Sequence, residues 1–223
     1  MKEIATALNS IRSTLPRGVE LVAVSKFHPV EALQVAYEAG QRVFGESRVQ
    51  ELVAKIAAMP SDVRWHFIGH LQTNKVRALI STKRVTLIES VDSERLLSLI
   101  DEESAKAGIV SRVLMQVHVA QEETKFGFSP GELLDFFRNR SFEQLRATHI
   151  CGVMGMASNT DDEARVATDF EMIADVFHKI LELAPDLRGF DTLSMGMSDD
   201  YPLALAKGST MVRVGSAIFG HRG

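Results

Sequence analysis

The sequence predicts a single-domain (β/α)₈ TIM barrel with an extra helix at its N-terminus. Short segments rich in branched and aromatic residues alternate with longer segments of helical periodicity, which is typical of α/β proteins. Eight strand candidates occur, and each except the last is followed by a helix, so a closed barrel is favoured over a doubly wound open sheet. The 223 residues suit one such barrel, and we expect 1–223 to form one domain.

The first helix is predicted by apolar residues at helical spacing: Ile4, Leu8, Ile11 and Leu15. Pro16 and Gly18 then end it. We expect strands at Leu21–Val24, Arg42–Phe44, Arg64–Ile68, Val85–Ile88, Arg112–Val117, Thr148–Val153, Thr192–Leu193 and Met211–Val214. We expect helices between them at Pro29–Ala39, Val49–Ala58, Asn74–Ile80, Ser93–Ala107, Glu132–Arg138, Asp162–Leu183 and Asp199–Ala206.

Composition and charge exclude several classes of protein. The net charge of −4 and the lack of a Lys/Arg block argue against a surface for nucleic acid. The single cysteine, Cys151, has no partner for an intramolecular disulfide, which suits a reducing compartment. No apolar stretch has the length of a signal sequence or reaches the roughly 18 residues of a membrane span. We therefore expect a cytoplasmic protein.

Lys26 is the first candidate site residue. It follows the apolar strand Leu21–Val24 and Ser25, and it precedes a helix predicted to begin at Pro29. A lysine at the carboxyl end of a buried strand lies partly out of water, which favours the neutral amine. A neutral amine can attack an aldehyde and form a Schiff base. The alternative is a lysine whose head group only reaches the surface.

The loops after the last two strands suit a phosphate group. The first runs Ser-Met-Gly-Met-Ser from Ser194 to Ser198, and the second begins with Gly215 and Ser216. Glycine lets backbone N–H groups approach an anion closely, and these two loops are the usual phosphate site of this barrel. Either loop alone is consistent with a simple tight turn, whereas both together favour a phosphate.

Arg213 alternates with Val212 and Val214 along the last strand, so it is expected to face the barrel interior. A buried arginine needs a partner, which is either a core carboxylate or a ring atom of a ligand. His66 and His70 share one face of a strand, but their spacing holds them far apart and no third ligand follows. We therefore predict no metal site.

Seven segments then resemble, in order, the pyridoxal phosphate homeostasis protein family, which is similar to the N-terminal domain of alanine racemase. They are VAVSK, FGESRVQE, WHFIGHLQTNKV, SVDS, EETKFGF, LSMGMSDDYPLA and GSTMVRVGSAIFG. The resemblance runs from about Val22 to Gly220, and the segments SMGMSDD and RVGSAIFG are together highly specific.

The resemblance implies a barrel that holds pyridoxal 5′-phosphate as a covalent internal aldimine on Lys26. The cofactor-binding residues that it implies are Lys26, Ser47, His70, Ser194, Ser198, Arg213, Gly215 and Ser216. The phosphate is expected on Gly215 and Ser216, with Ser194 and Ser198 contributing.

By the same resemblance, Arg213 faces the pyridine nitrogen of the cofactor and His70 lies beside its ring. The chain departs from the family at Ser47, where asparagine is usual. Serine is shorter and has no amide donors, so a water-bridged contact to the phenolic oxygen is the alternative to a direct one.

An arginine opposite the pyridine nitrogen donates and cannot accept, so that nitrogen stays unprotonated and the cofactor is a poor electron sink. This disfavours transamination and leaves racemisation conceivable. Racemisation needs a second acid or base on the other face of the substrate. In the related racemases an added C-terminal β domain supplies it, whereas this sequence ends at Gly223 and offers only Tyr37 and Tyr201, both in predicted helices.

The leading hypothesis is an intracellular protein that buffers or delivers pyridoxal phosphate and is not an enzyme. The alternatives are a pyridoxal-phosphate-dependent amino-acid racemase of low activity and a Schiff-base aldolase without this cofactor. We expect a monomer whose partners are pyridoxal phosphate and apoenzymes that use it. Lys125, on the loop after the fifth strand, is a candidate relay for cofactor release or an ordinary solvated charge.

Overall fold

The computed structural model describes residues 2–120 and 126–220 of the chain. Within them, eight parallel strands close into a barrel in sequence order, because β1 pairs with both β2 and β8. The strands are β1 Glu20–Val24, β2 Val43–Glu46, β3 Arg64–Phe67, β4 Val85–Val91, β5 Ser111–His118, β6 Thr148–Met156, β7 Thr192–Ser194 and β8 Met211–Val214. The predicted barrel is therefore confirmed.

Helices surround the barrel and connect its strands. They are α1 Lys2–Thr14, α2 Val30–Glu38, α3 Val49–Ala58, α4 Val76–Ser81, α5 Glu94–Ala107, α6 Pro130–Arg138, α7 Glu163–Leu183, α8 Tyr201–Ala206 and α9 Ser216–Phe219. Short 3₁₀ turns occur at Thr73–Lys75 and Ser141–Gln144. In the described part of the chain, no helix combines the length and the apolar character that a membrane crossing requires.

Local sequence signals explain where the helices begin and end. The hydroxyl of Ser93 accepts a hydrogen bond from the Leu96 N–H at the start of α5, and Gly108, at a φ of 66°, ends that helix. The hydroxyl of Ser129 and the carboxylate of Glu132 form a capping box at the start of α6. The sequence predicted these boundaries to within a few residues because such caps are local.

The alternation of side chains along each strand separates two apolar layers. The outer layer packs against the helices and contains the largest buried side chains, among them Trp65, Phe44 and Phe170. The inner layer fills the barrel and consists of Val22, Val43, Leu87, Leu114, Cys151, Met154 and Met211. Most of the inner residues come from the first half of their strands, so they form an apolar floor beneath the carboxyl end.

Several predicted boundaries were wrong in a way that matters for the site. The strand β2 ends at Glu46 rather than Phe44, and β6 ends at Met156 rather than Val153. The strand β4 was expected to end at Ile88 but continues to Val91. Glu89 and Ser90, which were expected in a loop, therefore belong to the strand and are buried. The helix α8 starts at Tyr201 rather than at Asp199, because Asp200 lies before its first turn.

Candidate functional site

One cavity of about 550 Å³ opens at the carboxyl end of the barrel. This volume is usual for a small-molecule site. The polar residues on its wall are Lys26, His28, Ser47, Ser198, Asp199, Arg213 and Ser216. The other lining residues are Val24, Ile68, Met154, Met156, Met197, Gly215 and Gly220. All predicted site residues except His70 and Ser194 therefore line one cavity.

Lys26 lies two residues beyond the end of β1. Its inner-face neighbours on the strand are Val22 in the apolar floor and Val24 on the cavity wall. Because side chains alternate, the same face carries Lys26 to the cavity, where it is partly exposed. The side chain is thus partly withdrawn from water beside apolar residues, as the sequence predicted.

The loops after β7 and β8 meet at the short helix α9. The Ser198 hydroxyl accepts hydrogen bonds from the backbone N–H groups of Gly215, at 3.2 Å, and Ala217, at 3.4 Å. A side chain at position 215 would crowd β1, because its Cβ would meet Val24 O at 3.2 Å. Gly215 therefore allows the close approach of this turn to β1, and Ser198 and Ser216 line the same cavity beside it.

Arg213 points into the barrel, as expected, with 4% of its surface exposed. Its Nη1 donates to the Ser194 hydroxyl at 2.6 Å and lies 3.7 Å from Glu89 Oε2, while Nη2 donates to the Gly155 carbonyl at 2.9 Å. From the sequence, the partner of Arg213 was expected to be either a core carboxylate or a ligand atom. The structure shows the carboxylate, Glu89, and places the same guanidinium on the cavity wall.

Glu89 is the centre of a polar layer between the apolar floor and the cavity. It accepts hydrogen bonds from His66 Nδ1, at 2.7 Å, and from the Ser194 hydroxyl, at 2.6 Å. Burial alone would raise the pKa of Glu89, but His66, Arg213 and Ser194 outweigh it and lower that pKa below its ordinary value. Glu89 is therefore an anion inside the barrel, and its charge partners Arg213.

Two predicted site residues lie elsewhere. The Ser194 hydroxyl is used inside the polar layer, between Arg213 and Glu89, and does not line the cavity. His70 stacks on Phe126, with ring centroids 3.6 Å apart, and its Nδ1 lies 2.8 Å from Asp92 Oδ2. His70 thus lines grooves beside the cavity rather than the cavity itself.

Ser47 lies at a tight contact between the loops after β2 and β3. A Cβ at Gly69 would come within 2.3 Å of the Ser47 carbonyl oxygen, so only glycine permits this approach. Ser47 lines both the cavity and a neighbouring groove. Lys125, the candidate relay, lies outside the described residues.

Sequence reasoning missed His28. It lines the cavity and stacks on Phe219, with centroids 4.9 Å apart. Met154 packs in the inner layer and also lines the cavity, as does Met156. Their positions at the end of β6 were the available signal, since that edge of every strand borders the site.

Sequence reasoning also missed a buried ion cluster behind the turn that carries Lys26. Lys55 Nζ lies 2.7 Å from Glu46 Oε1 and 2.6 Å from Glu51 Oε1. Burial raises the pKa of Glu46, while hydrogen bonds from Lys55 and Ser25 act against that rise. The pair Glu51 and Lys55, four residues apart on a helix, has the spacing of an ordinary surface ion pair, and nothing local showed that it is buried. Within the described residues, no group of His, Cys, Asp or Glu side chains is arranged to hold a metal ion.

Comparisons with known proteins agree with this barrel along the whole chain. The family model of the alanine racemase N-terminal domain matches residues 1–223. The pyridoxal phosphate homeostasis protein of Schizosaccharomyces pombe is 39% identical over 229 residues, which cover 100% of this chain and 94% of that protein.

Solved structures agree as well. PipY of Synechococcus elongatus PCC7942, solved with PLP bound, has a TM-score of 0.88 at 38% identity and covers 97% of this chain and 100% of its own. Alanine racemase from Streptomyces lavendulae has a TM-score of 0.78 at 19% identity, with 99% of this chain and 57% of that chain covered, and it shows the fold alone. The chain belongs to the family of the pyridoxal phosphate homeostasis proteins, built on the barrel of the alanine racemase N-terminal domain.

Proposed function

We propose that the chain binds pyridoxal 5′-phosphate in the cavity, attached to Lys26, and that it buffers or delivers this cofactor in the cell without robust catalysis of its own. The observation that carries the proposal is the convergence of an amine, a phosphate cradle and a guanidinium on one cavity, through Lys26, Gly215 with Ser216, and Arg213. The relatives named for pyridoxal phosphate homeostasis, and the cofactor bound in PipY, support it.

The chemistry of the wall fits a phosphorylated aromatic aldehyde. The hydroxyls of Ser198 and Ser216 suit a phosphate, while Ile68 and Met156 offer apolar surface to a ring. The cofactor supplies an aldehyde that a neutral lysine amine can attack, and Lys26 is the lysine on this wall. The residues present therefore fit the group.

Arg213 is the residue that would meet the ring nitrogen of the bound cofactor. Its guanidinium already donates to Ser194 and to the Gly155 carbonyl, and Glu89 keeps it charged and fixed. A guanidinium offers hydrogen bonds and cannot accept one. A pyridine nitrogen facing Arg213 would therefore stay unprotonated, which suits storage of the cofactor better than catalysis by it.

The two tyrosines that the sequence offered as a second acid or base both have other partners. The Tyr37 hydroxyl donates to Asp62 at 2.7 Å, and the Tyr201 hydroxyl lies 3.1 Å from Thr14 Oγ1. Neither lines the cavity in the described part of the chain. A cytoplasmic location, a monomeric state, one domain over 1–223 and apoenzyme partners belong to the same proposal.

The test is spectroscopic titration of the purified protein with pyridoxal phosphate, followed by borohydride reduction and peptide mapping. We expect the cofactor to be fixed on the peptide that contains Lys26, and Lys26→Ala to bind it only through non-covalent contacts. Lys106→Ala is the matched control, because that lysine is exposed on α5 away from the cavity. A label found mainly on another lysine would refute the attachment site.

A further inference from the structure

Two charged side chains of α3 hold the peptide units on either side of Lys26. Lys55 Nζ donates to the Ser25 carbonyl at 2.8 Å, and the Phe27 N–H donates to Glu51 Oε1 at 2.6 Å. Glu51 and Lys55 are one helical turn apart and therefore share a face of α3. The turn also closes on itself, because the His28 N–H donates to the Ser25 carbonyl at 3.0 Å. The backbone of Lys26 is thus held by its own turn and, from both sides, by a neighbouring helix.

The contacts belong to a cluster whose centre is buried, while the Glu51 side chain at its edge is 21% exposed. Lys55 is only 4% exposed and Glu46 is fully buried. The Ser25 hydroxyl donates to Glu46 Oε1 at 2.5 Å, and that oxygen also accepts from Lys55. Removing such charges from water is costly, and well-packed apolar residues often give equal or greater stability. Stability alone is therefore a weak explanation for ions at this place.

The turn that the cluster holds is strained. Phe27 has a φ of 68°, in the left-handed region that side chains other than glycine rarely adopt. Such a conformation persists only where surrounding contacts impose it. Here the contacts include the turn's own bond from the His28 N–H to the Ser25 carbonyl, the bond from the Phe27 N–H to Glu51, and the Arg48 guanidinium, which lies 4.6 Å from the centre of the Phe27 ring.

We propose that Glu51 and Lys55 are positioning residues for Lys26, which impose on the Ser25–Phe27 turn the strained conformation that presents the lysine amine to an aldehyde-bearing ligand. The proposal rests on the proposed function, because it takes Lys26 as the attachment site. It adds that covalent attachment depends on two side chains that do not line the cavity.

The experiment compares two ligands in Glu51→Ala and Lys55→Met. Pyridoxal phosphate reports on covalent attachment, whereas pyridoxine phosphate has an alcohol in place of the aldehyde and reports on the non-covalent contacts alone. Loss of a charge-assisted hydrogen bond is expected to weaken pyridoxal phosphate binding about 10-fold or more. Pyridoxine phosphate binding should stay within a factor of about two, because the cradle of Gly215 and Ser216 is untouched. Gln50→Ala, an exposed change on the same helix, should alter neither.

Two further variants separate positioning from a merely structural role. Glu51→Gln keeps an oxygen that accepts from the Phe27 N–H and should recover most of the pyridoxal phosphate affinity. Phe27→Gly adopts the left-handed conformation without strain. In the Phe27→Gly variant, Glu51→Ala should therefore reduce the affinity for pyridoxal phosphate much less than it does in the wild type.

Some results would overturn the proposal. Equal weakening of both ligands by Glu51→Ala would do so, and so would an undiminished loss in the Phe27→Gly background. If Lys55→Met unfolds the protein, the Glu51 and Phe27 variants still decide the question. A failure of the proposed function is distinguishable, because the wild-type protein itself would then bind no pyridoxal phosphate covalently.

Discussion

The hydroxyl of Ser194 donates a hydrogen bond of 2.6 Å to Glu89 Oε2 across the interior of the barrel. It joins β7 to β4, two strands that are not neighbours in the sheet. The same hydroxyl accepts a hydrogen bond from Arg213, so it links the buried carboxylate of Glu89 to the guanidinium on the cavity wall. Ser194 thus acts on the site through Arg213.

Ser194→Ala should destabilise the protein by about 1–3 kcal/mol, because Arg213 and Glu89 each lose a partner while buried. Urea unfolding measures the change in free energy of unfolding. Ser98→Ala, an exposed change on α5, should stay within about 0.5 kcal/mol and serves as the control. A loss no larger than that of Ser98→Ala would show that the polar layer adjusts without Ser194.

Glu89→Gln should make the stability of the protein less dependent on pH in acid. The folded-state pKa of Glu89 lies below its ordinary value of 4.5, so the stability that it contributes is present above pH 4.5 and is lost as the pH falls through the folded value. Unfolding free energies measured across that window should fall less steeply in Glu89→Gln than in the wild type. Parallel slopes in the two proteins would contradict the lowered pKa.

Glu46→Gln should have the opposite effect on the pH dependence of the free energy of unfolding. Burial raises the pKa of Glu46, so the folded state binds its proton more readily than the unfolded state does. That residue therefore lowers stability as the pH rises from 4.5 towards the folded value. In the same series of unfolding measurements, Glu46→Gln should gain stability with pH more steeply than the wild type, whereas a shallower rise would contradict the assignment.

Arg213→Gln and Gly215→Val should affect different parts of the cofactor. Arg213→Gln removes the charge that, in the proposed binding mode, would face the ring nitrogen, so the visible absorption of bound pyridoxal phosphate should shift. Gly215→Val adds a side chain where a Cβ already lies 3.2 Å from Val24 O, so it should mainly reduce phosphate affinity. Titration with pyridoxine phosphate measures that affinity, and an equal loss in both variants would refute the division of roles.

The protein should not racemise alanine at an enzymatic rate. Working enzymes commonly turn over at ~1–10³ per second, and neither tyrosine hydroxyl lies on the described cavity wall to act as a second acid or base. Circular dichroism of L-alanine incubated with the holoprotein follows the reaction, with a purified alanine racemase as the positive control. Turnover in that range by a preparation free of contaminating racemase would overturn the non-catalytic proposal.

The sequence predicted those parts of the molecule that depend on local pattern. The positions of Lys26 and Gly215 follow from where a strand ends and a turn begins, and the structure places both on the cavity wall. Arg213 was predicted to face inwards from simple alternation, which is equally local. The eight strands were countable because helical segments separate them along the chain.

Contacts between distant segments were not predictable from the sequence. The hydrogen bond between Ser194 and Glu89 joins residues 105 positions apart. It engages the Ser194 hydroxyl, which was expected to bind the phosphate. His70 was expected beside the ring, but its pairing with Asp92 and Phe126 places it in the grooves outside. Both differences arise from side-chain partners that only the closed barrel brings together.

The apolar floor of the barrel has a kinetic consequence. Val22, Leu114 and Met211, with the other inner residues, leave the described cavity facing the carboxyl end of the strands. The cofactor would then enter and leave through the same opening of this cavity. A recipient enzyme docked at that opening would also shield the cofactor from bulk water. If the chain delivers the cofactor as proposed, transfer to a recipient enzyme and release into water would compete at the same opening.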